Sequence, residues 1–175
     1  VGPTSAGARP GPACYRAGGP LTITDANLLL GRLPLDRFPA VFGPNGDQPP
    51  DLAVVQRGFA RLATHLKQAP EDIAEGALQL AIERMADAIR RVSLHRGQDI
   101  SGGVLVAYGG AGGQHACRLA QELGLNTVLL HPMAGVLSAY GMGQARQRRR
   151  AQQHVGKPLT TALLEQLPTR VFELE

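Results

Sequence analysis

Tryptophan is absent from this 175-residue chain, and aromatic residues together make up only 4% of it. With so few flat side chains to stack bases on, an extended nucleic-acid surface is poorly supported despite a net charge of +4. Lysine is scarce too. Lys67 and Lys157 are the only two, and neither stands in the Gly-Lys-Ser/Thr order of a Walker loop. The two cysteines, Cys14 and Cys117, show no metal-ligand spacing and no disulfide framework, which fits a reducing, cytoplasmic compartment. No apolar run approaches the roughly 20 residues needed to cross a bilayer, so no membrane partner is expected. No signal or transit pattern is present, and the chain opens on Val1 in the middle of a loop-like stretch, as a piece of a longer polypeptide would.

What is present is a hydrophobic content of 43% against 18% charged residues, in a length that allows one sizeable core. Residues 1–50 form a Gly/Pro-rich loop segment. In it Leu21–Thr24 reads as a short strand and Asp25–Leu30 as a short helix, with Asp25 as N-cap and Gly31 past the end. Residues 51–153 read as an α/β core. Leu52, Val55, Phe59, Leu62 and Leu66 are spaced as the apolar stripe of one helix. Pro70 opens a second, whose stripe runs through Leu78, Ile82, Met85, Ile89 and Val92. A buried strand at 104–108, a helix ending at Gly124 and a strand at 126–130 then make a right-handed parallel crossover. Another helix is expected from Ala134 through the Arg146–Arg150 run to about Gln153. Its glycines at 135, 141 and 143 call for close packing or ligand approach. Residues 154–175 form a tail, or the start of a further segment, with a short helix at 159–167. The fold class is therefore α/β, a short parallel sheet flanked by helices.

The strand at 104–108 runs straight into Gly109-Gly-Ala-Gly-Gly113 and then into a helix. Over those five positions no side chain is larger than a methyl group. Such a junction lets a flat or anionic ligand reach the main chain, where free N–H groups and the helix dipole favour a nucleotide or phosphate. The dinucleotide pattern G-x-G-x-x-G fails here, because counting from Gly110 puts His115 where the third glycine belongs.

Individual residues leave alternatives open. Asp25 suits either a helix cap or a place facing a reaction centre. His115, in the first turn of its helix, suits phosphate contact or local backbone bonding. Cys14 has no partner base in sequence and reads more readily as a buried thiol than as a nucleophile. Arg146–Arg150 suits a solvated helix face or a contact with further protein.

Three blocks together resemble the hydantoinase A/5-oxoprolinase family. They are Val1–Tyr15 with Gly18-Gly19 and Thr22-Ile-Thr-Asp-Ala-Asn27, then Ala107–Ala116, and then His131–Gly141. The resemblance implies a partial actin-like ATPase (ribonuclease H-like) subdomain. It implies ATP and Mg²⁺ as cofactors and ring opening of a cyclic amide such as 5-oxoproline or a hydantoin. Gly109, Gly110, Ala111, Gly112, Gly113 and His115 would then lie at nucleotide, and Asp25 and Asn27 would belong to a substrate-facing or structural loop. Neither a metal ligand nor a catalytic residue is identified by it. Gly113 stands where many members carry proline.

The family's two phosphate-binding motifs are absent from this sequence, so the chain alone is expected to be inactive. Its partners would be the cyclic amide, the rest of the same polypeptide and a second hydantoinase subunit or domain, and by itself it would self-associate. A carboxylase subunit of the acetone or acetophenone type, or a non-catalytic interaction module, are the alternatives.

Overall fold

A computed structural model describes residues 2, 4–148, 150, 152, 154–158 and 160–172. The chain divides into two compact units, residues 1–137 and 138–175.

The first unit is built on three helices, α1 (Ile23–Leu29), α2 (Leu52–Leu66) and α3 (Pro70–His95). Residues 21–24 are not a strand. Thr22 is extended and serves as the N-cap of α1, and Asp25 at the third helical position closes a capping box with it. Asp25 is thus one turn inside the helix, not its cap. Its carboxylate is sealed from solvent and accepts from the Thr22 amide at 2.7 Å and the Thr22 hydroxyl at 2.9 Å. It also accepts from the amides of Ala13 at 3.1 Å and Cys14 at 2.9 Å, so one side chain ties the glycine-rich loop to the start of α1. Gly19 lies so close to this loop that a Cβ there would sit 1.8 Å from the Gly11 carbonyl oxygen.

Helix α2 begins where Asp51 accepts the Val54 amide at 3.1 Å, and it ends at Lys67 in the left-handed region, φ 54°. In α3, Pro70 occupies the first turn with Glu71 and Asp72 beside the positive end of the dipole. Cys14, Ala26, Leu28, Val55, Phe59, Ala74 and Leu78 form one core. The expected apolar stripes therefore do face inward, although Leu62, Leu66 and Val92 at their outer edges stay exposed.

Beyond α3 come β1 (Val104–Ala107), α4 (Gly112–Glu122) and β2 (Thr127–Leu130). The strands pair in parallel with Val104 opposite Thr127 and Ala107 opposite Leu130. A second core gathers Ile82 and Ala86 of α3 with Leu119, Ala120, Leu123 and Leu125, and Leu105 and Val128 pack against it from the sheet.

Only that face of the sheet is covered. Val104, Val106 and Leu129 on the other side are 52%, 49% and 55% exposed, so β1 is half-buried rather than the fully buried strand its run of apolar residues suggests. A run apolar on both faces is the mark of a parallel strand covered on both sides, and the second cover is missing among the described residues.

After β2, the His131 imidazole Nδ1 accepts the Met133 amide at 3.0 Å and shapes the turn. A 3-10 turn follows at Ala134–Val136, and helix α5 (Leu137–Gln144) lies almost wholly in the second unit. The helix expected through Gln153 stops at Gln144. A helix with glycine at 141 and 143 has weak intrinsic support, and the next residues with described structure are irregular. Arg146, Arg148 and Arg150 are exposed and are not on a helical face; Arg149 lies outside the described residues. A Cβ at Gly135, Gly141 or Gly143 would meet nothing within 4 Å, so close packing does not explain these glycines. The second unit closes with α6 (Thr161–Phe172), longer than the helix expected at 159–167, with Leu163 buried.

Candidate functional site

The strand–glycine–helix junction connects β1 to α4. Tyr108 is exposed, and Gly109 takes φ +90°, a conformation that few side chains tolerate. Its amide donates to the Ala134 carbonyl at 2.8 Å, which fastens the start of the bend to the turn after β2. The amides of Gly110 and Ala111 make no hydrogen bond among the described residues. Those of Gly112 and Gly113 open α4, where a helix leaves its first N–H groups without internal acceptors. A Cβ added at Gly109 or Gly110 would meet nothing within 4 Å, and residues 109, 110, 111 and 113 are all exposed. The bend is an open row of donors, with no side chain beyond the Ala111 methyl, at the positive end of an 11-residue helix.

Of the other residues singled out from sequence, the fold brings Asn27 to this junction. Asn27 is fully buried in α1, and its Nδ2 donates to Gln114 Oε1 in the first turn of α4 at 3.0 Å. Asn27 Oδ1 is sealed and makes no hydrogen bond among the described residues. Asp25, two residues earlier, points its bonds the other way, into the 13–14 loop.

His115 lies next to Gln114 and is half-buried, with its imidazole pushed below the ordinary value first by burial and then by the charges of Arg32 and Arg118. Those arginines share one carboxylate. Arg32 reaches Glu75 Oε2 at 2.7 Å and Arg118 reaches Glu75 Oε1 at 2.8 Å, while Arg118 also bonds Gln79 Oε1 at 2.9 Å. Arg32, Glu75 and Arg118 had no signal of their own in sequence. The one available hint was that Gln114 and Arg118 are four apart and so share a face of α4.

Cys14 is buried, and burial, followed by the hydrogen bond and charge of Asp25, pushes its thiol far above the ordinary range. Such a thiol is inert, not nucleophilic. Among the described residues, no three His, Cys, Asp or Glu side chains come together as a metal site. A groove of about 840 Å³ lies elsewhere, lined by Ser5, Thr22, Phe59, Leu62 and Ile73 among others. No helix among the described residues is long and apolar enough to cross a membrane.

Comparison with known proteins bears on what this arrangement serves. The family model described as hydantoinase/oxoprolinase matches residues 1–151. A 5-oxoprolinase of Pestalotiopsis fici is 50% identical over 151 residues, which cover 83% of this chain and 12% of that protein. The crystal structure of an ATP-dependent caprolactamase from Pseudomonas jessenii superposes with a TM-score of 0.68 at 40% identity, over 81% of this chain and 20% of that one. A nucleotide-free acetone carboxylase gives 0.67 at 28% identity, over 80% and 19%. The chain thus spans between about an eighth and a fifth of the length of these relatives. With the match extending over the first loop, the glycine junction and the block after β2, the chain belongs to the hydantoinase/oxoprolinase family.

Proposed function

We propose that this chain is the nucleotide-facing portion of an ATP-dependent amidohydrolase that opens a cyclic amide, 5-oxoproline or a hydantoin. The observation that carries the reading is the open row of amides from Gly110 to Gly113 at the start of α4, in a chain 50% identical to a 5-oxoprolinase. A nucleotide fits such a place. Donors are free, no side chain stands in the way, and the dipole favours negative charge.

A lactam is stabilised by resonance and resists water, so its opening needs the carbonyl oxygen turned into part of a leaving group, a task for which ATP supplies the phosphoryl group. This chain's share is to bind and orient. The Gly110–Gly113 amides hold nucleotide, Gly109 fixes the bend through Ala134, and His115 stays uncharged beside them at neutral pH. The groups that ligate Mg²⁺ and activate water belong on this reading to the rest of the polypeptide, as do the phosphate motifs this sequence lacks.

The experiment is turnover by the full-length polypeptide supplied with ATP and Mg²⁺. Phosphate release that depends on 5-oxoproline or a hydantoin is expected. Release that depends instead on a ketone plus bicarbonate would move the assignment to a carboxylase subunit, the reading that the acetone carboxylase likeness at 28% identity favours. The 175-residue chain alone should release no phosphate from ATP in the presence of 5-oxoproline.

A further inference from the structure

Apart from the Ala111 methyl, the glycine junction has no side chains with which to hold itself in place. Built Cβ atoms at Gly109 and Gly110 touch nothing, and those at Gly112 and Gly113 come only to 3.9 Å of a neighbour. Its position is set from its two ends. One is the Gly109 amide on the Ala134 carbonyl. The other is Gln114, the residue after the last glycine, held at 3.0 Å by Asn27 from 87 positions earlier in the chain.

Asn27 itself sits on a rigid base. Ala26 and Leu28 beside it are buried in the first core, and Asp25 fastens the same helix to residues 13 and 14. Its amide cannot touch a ligand, because the residue is fully buried and its free oxygen is sealed from water. Nor is packing a reason for it. A leucine fills similar space without leaving an oxygen unpaired, and an unpaired buried acceptor is unfavourable.

We infer that Asn27 is a positioning residue: acting through Gln114, it sets the placement of the α4 N-terminus and so of the amides that face nucleotide. This rests on the nucleotide reading of the junction. Loss of the Asn27–Gln114 bond lets the glycine segment move at one end. Nucleotide affinity then falls while the groups that carry out the chemistry, which lie elsewhere, keep their rate.

The test uses the full-length polypeptide, with KM for ATP, kcat, and ADP affinity by calorimetry as readouts. Asn27→Ala and Gln114→Ala should each weaken nucleotide binding about fivefold to tenfold, the worth of one ordinary hydrogen bond, with kcat held within about twofold. The double variant should be no weaker than either single one. Gln114→Glu keeps an acceptor for Asn27 and should bind within about twofold of wild type. If Asn27→Ala does not fold, the two Gln114 variants at their half-buried position decide the matter by themselves. Nucleotide binding unchanged in Gln114→Ala, effects that add in the double variant, or a Gln114→Glu as weak as Gln114→Ala would overturn the inference. Gly110→Val, placed in the open face, is the control on the reading beneath it. If that variant binds ADP normally, nucleotide does not lie on the junction and both readings fall, whereas a weakened Gly110→Val beside a normal Gln114→Ala removes the positioning role alone.

Discussion

Replacing Gly19 by alanine adds a single methyl group, yet the fold leaves it no room. The new Cβ would stand 1.8 Å from the Gly11 oxygen, 2.8 Å from the Gly11 carbonyl carbon and 3.1 Å from the Pro12 oxygen. All three neighbours are backbone atoms, so no rotamer change relieves the clash. Displacing Gly11 and Pro12 by an ångström or more pulls on Ala13 and Cys14, whose amides are held by the buried Asp25 carboxylate at 3.1 and 2.9 Å. Overpacking of this kind costs about 1–3 kcal/mol, and loosening a hydrogen bond to a charged group adds about 1.5 kcal/mol or more. A total of about 3–4 kcal/mol should lower Tm by about 6–16 °C in a chain of this size.

The assay is urea and thermal unfolding followed by far-UV circular dichroism, with two other glycines as references. Gly18→Ala meets nothing within 4 Å but sits at φ +74°, so it should cost only about 1–2 kcal/mol of backbone strain. Gly76→Ala, in the interior of α3 with open space around it, should stabilise by about 0.5–1 kcal/mol. A Gly19→Ala protein as stable as Gly18→Ala would refute the argument from close approach.

Three further outcomes follow from the same geometry. Asp25→Ala leaves the amides of Ala13, Cys14 and Thr22 without their acceptor and should destabilise by at least about 3 kcal/mol in a urea titration, far more than Asp36→Ala on the surface. Because the His115 pKa is lowered on folding, the unfolded chain takes up a proton first, so stability contributed by this residue is full above about pH 6.5 and falls as the pH drops below it. His115→Gln should show a smaller loss of urea midpoint between pH 7.5 and 5.5 than wild type, and an identical loss in both would count against the imidazole. The isolated chain should self-associate through its uncovered sheet face. Val106→Lys with Leu129→Lys should shift its concentration-dependent light-scattering mass towards the monomer, and no shift would place the contact elsewhere.

Much of the first unit could be read from residue spacing because its helices are amphipathic and well punctuated. Leu52 to Leu66 carries a stripe at helical period behind Asp51, and Pro70 marks the next start, so these elements emerge within a residue or two of their observed bounds. The glycine junction was legible for a different reason. Side chains are missing where a strand meets a helix, and that pattern is local.

The start of α1 departs from the strand expected there: Leu21-Thr-Ile-Thr24 alternates like a strand, while the Thr22/Asp25 capping box that overrides it spans only four residues. The Asn27–Gln114 bond and the Arg32–Glu75–Arg118 bridge were invisible to spacing. Their members lie 87, 43 and 43 positions apart and meet only when α1, α3 and α4 pack together. The open sheet face was hidden for a related reason. Val104 and Val106 lie in an apolar run that reads as buried, and the run by itself does not say whether anything covers its second face.

Helix α3 spans 26 residues, about 39 Å at the usual rise, and its two halves serve different hydrophobic clusters. Ala74 and Leu78 belong to one, Ile82 and Ala86 to the other. A single rod threaded through both makes them melt as one: the amides around Gln79–Met85 should be the slowest in the molecule to exchange with deuterium, and fraying at either tip leaves that midsection shut. A proline placed there would act like a saw cut through a shared beam, dropping both clusters at once.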